Sequence, residues 1–590
     1  VPTETIPQEK DTRRSRLESL RAQLENERSS FTAHWRDLSD FILPRRTRFF
    51  LADVNKGDRR SQKIIDSTAT LAARTLRAGM MGGITSPARP WFRLSTPDPD
   101  LADVGAVKGW LDAVSTRMRS IFLRSNLYNA LPLVYGDLGV FGSAAMFVEE
   151  DLEDGIRCYV FPVGSYMIAN DAKLKVKVFH REFRMTVRQV VEMFGRDQMG
   201  KEINWTNIST LVKSLWDQGL KESWIDVAHV IMPNPDFDPS MIDSKYKRFY
   251  SAYYERGGSS TQQSNYMADE QGKMLREAGF DFFPVLAPRW EVSGEDVYGT
   301  SCPGMDSLGD IRQLQLGEKR GAQAIEKMVN PPMVAPTALR TVRTSLLPGD
   351  ITYSDEREGQ KGFRPAHEVN FNLQQHEVKQ DQVRQRVRRA FFEDLFLMLA
   401  SSDRRQITAR EVEERHEEKL LALGPVLEQL NQDLLDPLID ITFDIMLRQG
   451  LIPEPPAELE GVTLRVEYVS IMAQAQKLVG VSGLERFAGF VGNLAAQTGN
   501  PAVLDKVDTD QLIDVYADTL SVPSEVVRSD EDVEAMRGSR QAAAAQQQQA
   551  ETINEAAGAA QKLAGASLED DNALKRLLDV AQAGQAIPGA

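Results

Sequence analysis

Cysteine is almost missing from this chain. Its 590 residues hold two, Cys158 and Cys302, far apart and outside any C-x-x-C pair. That scarcity excludes a disulfide framework and a thiolate metal cluster, and it suits a reducing compartment with both thiols as plain core side chains. Histidine is scarce too: His34, His180, His229, His367, His376 and His416 are scattered. Glu413 and His416 form half of a carboxylate-bridged di-metal motif, but the second Glu-x-x-His is missing, so no metal or other cofactor is expected. No uncharged apolar run reaches the ~18 residues of a membrane span. The first residues, "VPTETIPQEKDTRRSRLE", lack the apolar centre of a secretion signal. The expectation is a soluble chain, cytosolic when made.

Catalytic signatures are equally sparse. No G-x-x-x-x-G-K-[ST] occurs; "QGKM" and "MGKE" lack the hydroxyl that would meet Mg²⁺, and "GMMGGI" is neither a phosphate loop nor a dinucleotide fingerprint. There is no G-x-S-x-G nucleophile elbow. The chain therefore reads as a non-enzyme. A nuclease built on some of its 85 acidic residues stays as an alternative, checked by incubation with duplex DNA and Mg²⁺. Cationic surplus is absent as well. The net charge of −15 excludes a protein that grips nucleic acid over its whole surface and leaves only local cations for such contact.

What is present is helix, in quantity. Leu17, Leu20, Leu24, Phe31, Trp35, Leu38 and Ile42 fall at three- and four-residue spacings, which predicts a helix over 11–43 that Pro44 stops. Residues 61–84 read as a second helix whose small side chains permit close packing. Residues 104–125 and 127–139 give two more. The period then shortens. "AAMFVEED", "IRCYVFPV", "SYMIAN", "VKVFHREFRM", "SWIDVAHVIMPN", "RFYSAYYER" and "FFPVLAPRWEV" read as strands, with helix over 186–219 between them. From Gly304 the chain is helical again until "NPPMVAP", where two prolines forbid continuation. Residues 331–368 are rich in Pro and Gly, helix resumes near Leu373 to about Leu399, and "VTLRVEYV" is a late strand. The fold class is mainly α with an α+β middle.

Between 400 and 407 lies a polar break, "SSDRRQI", with Arg404, Arg405 and Gln406 at its tip. Thr408 and Glu411 match a capping box, so a helix starts there and runs to about 450, bent near Gly424-Pro425 and Asp436-Pro437. Cations on a loop tip are free to meet a polyanion. Upstream, Val383, Val387, Phe391, Leu395 and Met398 make an apolar helix face flanked by Arg384, Arg386, Arg388 and Arg389, with Arg389–Glu393 as an expected intrahelical pair. The Ala/Gln-rich end of the chain has helix propensity but little apolar bulk, so it needs copies of itself to pack against.

Five stretches, in order, resemble the portal proteins (head-to-tail connectors) of short-tailed, podovirus-type bacteriophages. They are "FTAHWRDLSDFILPRRTRF", "DSTATLAARTLRAGMMGGITSPARPWFRL", "LYNALPLVYGDLGVFGSAAMFVEED", "PRWEVSGEDVYGTSCPGMDSLGDIRQLQ" and "QITAREVEERHEEKLLALGPVLEQLNQDLLDPLI". The resemblance implies the portal fold and a ring of about twelve subunits at one capsid vertex. It also implies a division of the chain: 1–305 as wing, 306–330 and 369–399 as stem helices, 331–368 as clip, and 400–407 as tunnel loop. Residues 408–450 would be the long bent helix, 451–528 the wing or crown base, and 529–590 the crown or barrel. It implies Arg404, Arg405 and Gln406 at the DNA, and Arg384, Arg386, Arg388 and Arg389 at the DNA or between subunits. Glu413, Glu414, Arg415 and Glu417 would then pair neighbouring subunits. The implied partners are further copies of the chain, double-stranded DNA of any sequence, the large terminase subunit, a tail adaptor, capsid and scaffolding proteins and internal ejection proteins. The expected location is the virion. A helical scaffold or host-interaction protein without a DNA channel is the alternative from another class.

Overall fold

A computed structural model describes residues 13–51, 57–98, 104–196, 202–256, 274–334, 371–401, 423–459 and 464–469, with shorter stretches at 364–365, 487–494, 507–519 and 535–546 and single residues at 101, 340, 461, 497 and 533. The residues expected in a tunnel loop, Arg404, Arg405 and Gln406, lie outside them, as do the expected Thr408/Glu411 cap, the Glu413/His416 pair, and Glu414, Arg415 and Glu417. Most of the expected clip and crown lie outside them too.

Helix α1 (Arg13–Phe41) ends three residues before Pro44, as its period predicts. Leu17, Leu24 and Leu38 share a buried stripe with Trp35, whose indole donates to the Phe141 carbonyl at 3.1 Å. Beside the stripe run arginines that clasp the sheet below: Arg28 donates to the carbonyls of Gly164 and Tyr166 at 2.7 and 3.3 Å. Arg21 and Arg256 share the carboxylate of Glu182. Helix α2 (Thr68–Gly83) starts later than expected, because residues 61–67 form turns. Its small residues do what small residues allow: Ala69, Ala72 and Ala73 are buried against α4 (Leu127–Phe141), which follows α3 (Gly105–Arg124). On the other side, Gly79 receives the ring of Phe396; a Cβ there would sit 2.1 Å from Phe396 Cγ. Gly79→Val should therefore cost about 3 kcal/mol, near the upper end of overpacking penalties, read as a lowered urea midpoint at unchanged slope.

Two antiparallel sheets form the middle. Strands β2 (Met146–Asp151), β3 (Gly155–Val160) and β9 (Val285–Leu286) make a three-stranded sheet in the order β3-β2-β9. Strands β4 (Tyr166–Asn170), β5 (Val176–Thr186), β6 (Trp224–Pro233), β7 (Phe249–Glu255) and β8 (Met274–Phe280) run in sequence order as a five-stranded sheet. Three expectations change here. Residues 186–219 are not one helix but a single turn, α5 (Val187–Val190), capped by Thr186, a π-helical turn Val191–Gly195, and a short helix, α6 (Thr210–Asp217). Only two residues of "FFPVLAPRWEV" pair as strand, since Pro284 and Pro288 bracket them. Strand β8, "MLREAGF", was not foreseen, because it lacks alternation.

Two histidines are sealed into adjacent strands of the larger sheet. His180 Nε2 pairs with the Tyr254 hydroxyl at 3.0 Å, and His229 Nε2 with Ser251 Oγ at 3.0 Å while stacking on Tyr253. Cys158 and Cys302 are free, buried thiols, as expected.

After the long helix α7 (Pro303–Val329) and its partners α8 (Leu373–Ala390) and α9 (Glu393–Ser401), the chain is helical over 423–430. A π-helical turn, Asn431–Leu435, leads into α10 (Asp436–Arg448), so the Asp436-Pro437 step continues the helix rather than restarting it. The π-helical turn just before Pro437 accommodates its ring and missing N–H within the continuous helix. That turn presents Asp433 to Arg289, which is 2% exposed and donates to it at 3.0 and 3.3 Å. Strands β10 (Met333–Val334) and β11 (Arg364–Pro365) pair antiparallel, and β1 (Phe92–Ser95) pairs antiparallel with β12 (Arg465–Tyr468), the expected late strand.

Candidate functional site

Helices α7 and α8 form an antiparallel hairpin, whose ends the sequence placed correctly at Asn330 and near Leu373. Their contact is made close by glycine. A Cβ on Gly317 would lie 1.8 Å from the amide nitrogen of Gln380, and one on Gly321 2.6 Å from His376 Nε2. Two glycines one turn apart on α7 thus accept two polar side chains one turn apart on α8 and fix the register of the pair. The rest of the seam is apolar, with Ile311, Leu314, Val383 and Val387 buried.

The four arginines of α8 separate into different roles. Arg384 reaches three carboxylates: Asp66 at 2.9 Å, Glu318 at 2.6 Å and Asp381 at 2.6 Å. Asp66 stands before α2, where it also accepts from the Thr68 amide at 2.7 Å. Burial raises the Asp66 carboxyl, but the bonds from Thr68 and Arg384 outweigh it and hold the group below its ordinary value. The hydrogen bond that Arg384 donates to Asp66, with the one to Asp381 and the charges of Asp66 and Glu318, raises its guanidinium despite partial burial. Arg386 is bidentate on Asp310 of α7. Arg388 lies 3.5 Å from Glu393, the partner expected for Arg389. Arg389 is exposed, and among the described residues nothing pairs with it.

The expected single helix over 373–399 is broken. Phe392 takes a left-handed conformation, φ 55°, between α8 and α9, while Phe391 stays fully buried. The turn carries Leu395 and Phe396 onto α2 and moves Glu393 within reach of Arg388 rather than Arg389. No glycine or proline marks the break, and the apolar period of Val387, Phe391 and Leu395 runs across it. Helix α9 also extends to Ser401, two positions into the segment expected as loop.

Sequence reasoning missed the groups that anchor this hairpin to the rest of the fold. Gln315 accepts from the amides of Ile65 and Asp66 at 2.6 and 2.9 Å and donates to the Asp66 carbonyl at 2.8 Å. Arg312 pairs with Asp37 of α1. These partners come from some 250 positions away, and no local pattern signals them. Beyond the anchor, residues 322–330 are exposed apart from half-buried Ala324, with Ile325, Met328 and Val329 apolar among them. No group of three or more His, Cys, Asp or Glu able to hold a metal exists among the described residues. No described helix is long and apolar enough to cross a membrane.

Comparison with known proteins adds three findings. Residues 14–527 match the family described as "Bacteriophage head to tail connecting protein". A protein of Salmonella phage epsilon15 named "Portal protein" is 49% identical over 576 residues, 98% of this chain and all of that one. A "Probable portal protein" of Bordetella phage BPP-1 is 43% identical over 564 residues, 95% of this chain and 97% of that one.

Proposed function

The chain belongs to the family of bacteriophage head-to-tail connecting proteins, and from that premise we propose that it is the portal vertex protein of a short-tailed phage. In this reading it forms a ring of about twelve copies through which DNA enters the capsid, is held, and leaves at ejection. The observation that carries the reading is its likeness to the epsilon15 portal protein along 98% of its length. A tightly registered helical hairpin supports it, since its distal half exposes Ile325, Met328 and Val329 for a neighbouring copy to cover.

The parts of the chain take the roles the resemblance implies: residues 1–305 the wing, the α7–α8 hairpin the stem, 331–368 the clip, 400–407 the tunnel loop and 529–590 the crown. The clip docks terminase during filling and the tail adaptor afterwards. Capsid, scaffolding and internal proteins surround the wing and crown. The chain performs no catalysis; the work of translocation is done by the terminase. A net charge of −15 per copy keeps the assembly anionic, so a passing duplex is not held by counterion release, and contacts are made to phosphates rather than bases. Arg404, Arg405 and Gln406 meet the DNA, and Glu413, Glu414, Arg415 and Glu417 pair neighbouring copies.

A ring of about twelve 66.0 kDa subunits should have a particle mass of about 800 kDa, whereas a scaffold would run as a monomer or small oligomer. Replacing Arg404 and Arg405 with alanine should leave the ring intact and change DNA packaging or retention in a complementation assay. Loss of the ring itself would assign these arginines to assembly and remove them from the channel.

A further inference from the structure

A narrow strip on the face of α8 turned away from α7 carries no carboxylate; Asp381, at its edge, is paired with Arg384. At about 100° per residue, Gln374, Gln375, Val378, Gln382, Gln385 and Arg389 fall on one strip, opposite buried Gln380, Val383 and Val387. All six are exposed. In a chain that is 26% charged, the first five positions of this strip are neutral. The helix is not poor in charge. Glu377, Lys379, Asp381, Arg384, Arg386 and Arg388 stand on its flanks, and Arg384 and Arg386 are held by carboxylates of the same chain. Among the described residues, no side chain bonds the side-chain carboxamides of the four glutamines; the backbone amide of Gln375 donates to the Asn372 cap. The outward strip of α7 differs: Gln313, Leu316, Arg320, Gln323 and Lys327 are exposed there, with two bases among five positions.

Repeated around a bore, the α7 strip would stack rings of cations and hold phosphates by counterion release. The α8 strip would not. A carboxamide both donates and accepts, so it exchanges a phosphate oxygen for water at little net cost, and it displaces no counterions. Carboxylates, which would repel the duplex, are absent from it. We propose that the glutamine strip of α8 is the wall along which the phosphate backbone of the duplex slides, with Arg389 as the one cation per copy at its wing-ward end. The ion pairs of Arg384 and Arg386 then serve to keep charge off this wall. The inference rests on the DNA-conducting ring proposed above and adds which face lines it and why DNA does not stick.

The test uses full-length rings carrying Q374K, Q382K and Q385K together, beside wild type and the triple asparagine variant. Particle mass, duplex binding across a salt series, and packaging in a portal-deficient phage are measured. The lysine rings should keep the wild-type mass, bind duplex at least about tenfold more tightly at low salt with a steeper salt slope, and package less DNA. The asparagine rings should package as wild type does. Lysine rings that bind and package like wild type overturn the proposal. So does failure of the lysine variant to form rings, which would make the strip a contact between copies. Should wild-type protein itself form no ring and restore no packaging, the portal reading falls, and this inference with it.

Discussion

Replacing Arg289 with methionine should destabilise the protein by about 3–5 kcal/mol, because it leaves the Asp433 carboxylate buried without its counter-charge. The pair is nearly sealed from solvent: Arg289 is 2% exposed and Asp433 10%. Arg289 also donates to the Leu174 carbonyl at 2.9 Å and reaches Asn170 Oδ1 at 3.3 Å, so one side chain joins the β4–β5 turn to the π-helical turn before α10. The effect should appear as a lowered urea midpoint in the isolated protein. Asp433 keeps a bond from Gln429 at 2.8 Å, which softens the loss without restoring charge balance. The double variant Arg289→Met with Asp433→Leu should regain most of the stability, since removing both charges removes the desolvation cost. A double variant as unstable as the single one would place the cost in lost packing instead.

Acid should weaken the five-stranded sheet steeply. Burial pushes His180 down to about 3, helped by the nearby guanidinium groups of Arg21, Arg256 and Arg28. Burial likewise pushes His229 well below its ordinary value, with Arg181 adding to it. Both imidazoles stay neutral in the fold while their unfolded counterparts take up protons near pH 6.5, so the unfolded state binds more protons below that pH. Stability is then complete above about pH 6.5 and falls by about 1.4 kcal/mol per pH unit for each histidine as the pH drops below it. For His180 the loss continues until about pH 3. Asp137 works the other way. Burial, against Arg46, raises it to about 6, so the native state gains its proton first and recovers part of the loss between about pH 6 and 4. Urea titrations from pH 7 to 4.5 should show a shallower slope in His180→Gln and His229→Asn than in wild type. Parallel slopes would show that the histidines protonate within the fold.

How much of this was legible depended on the range of the signal. The ends of α1 and α7 were readable because Pro44 and the Pro331-Pro332 pair act locally on the backbone. The break at Phe392 was not, since a left-handed aromatic residue has no compositional marker and is held by the packing of Phe391 and Phe396. The cations at Arg384 and Arg388 could be read as lying beside an apolar seam, and Arg386 as on a polar face. That Arg384 spends its charge on Asp66 and Glu318 could not, because one partner precedes α2 and the other lies across the hairpin. The tight glycine contacts followed the same rule: "small residues permit close packing" was readable for α2, but not that Phe396 was the residue to arrive.

The pairing of β1 with β12 bears on how the chain is made. Trp110 and Arg117 bond the carbonyls of Pro453 and Leu451, 343 and 334 positions later, on the same side of the molecule. The pairing edge of β1 and the side of α3 that carries Trp110 and Arg117 therefore wait for their late partners through most of synthesis, on the order of tens of seconds at ordinary elongation rates. Closing so long a loop late makes folding slow relative to local helix formation. It also means that a truncated polypeptide lacking residues beyond about 450 cannot finish its first domain, so incomplete chains are marked by an open edge strand before any copy can be built into a larger particle.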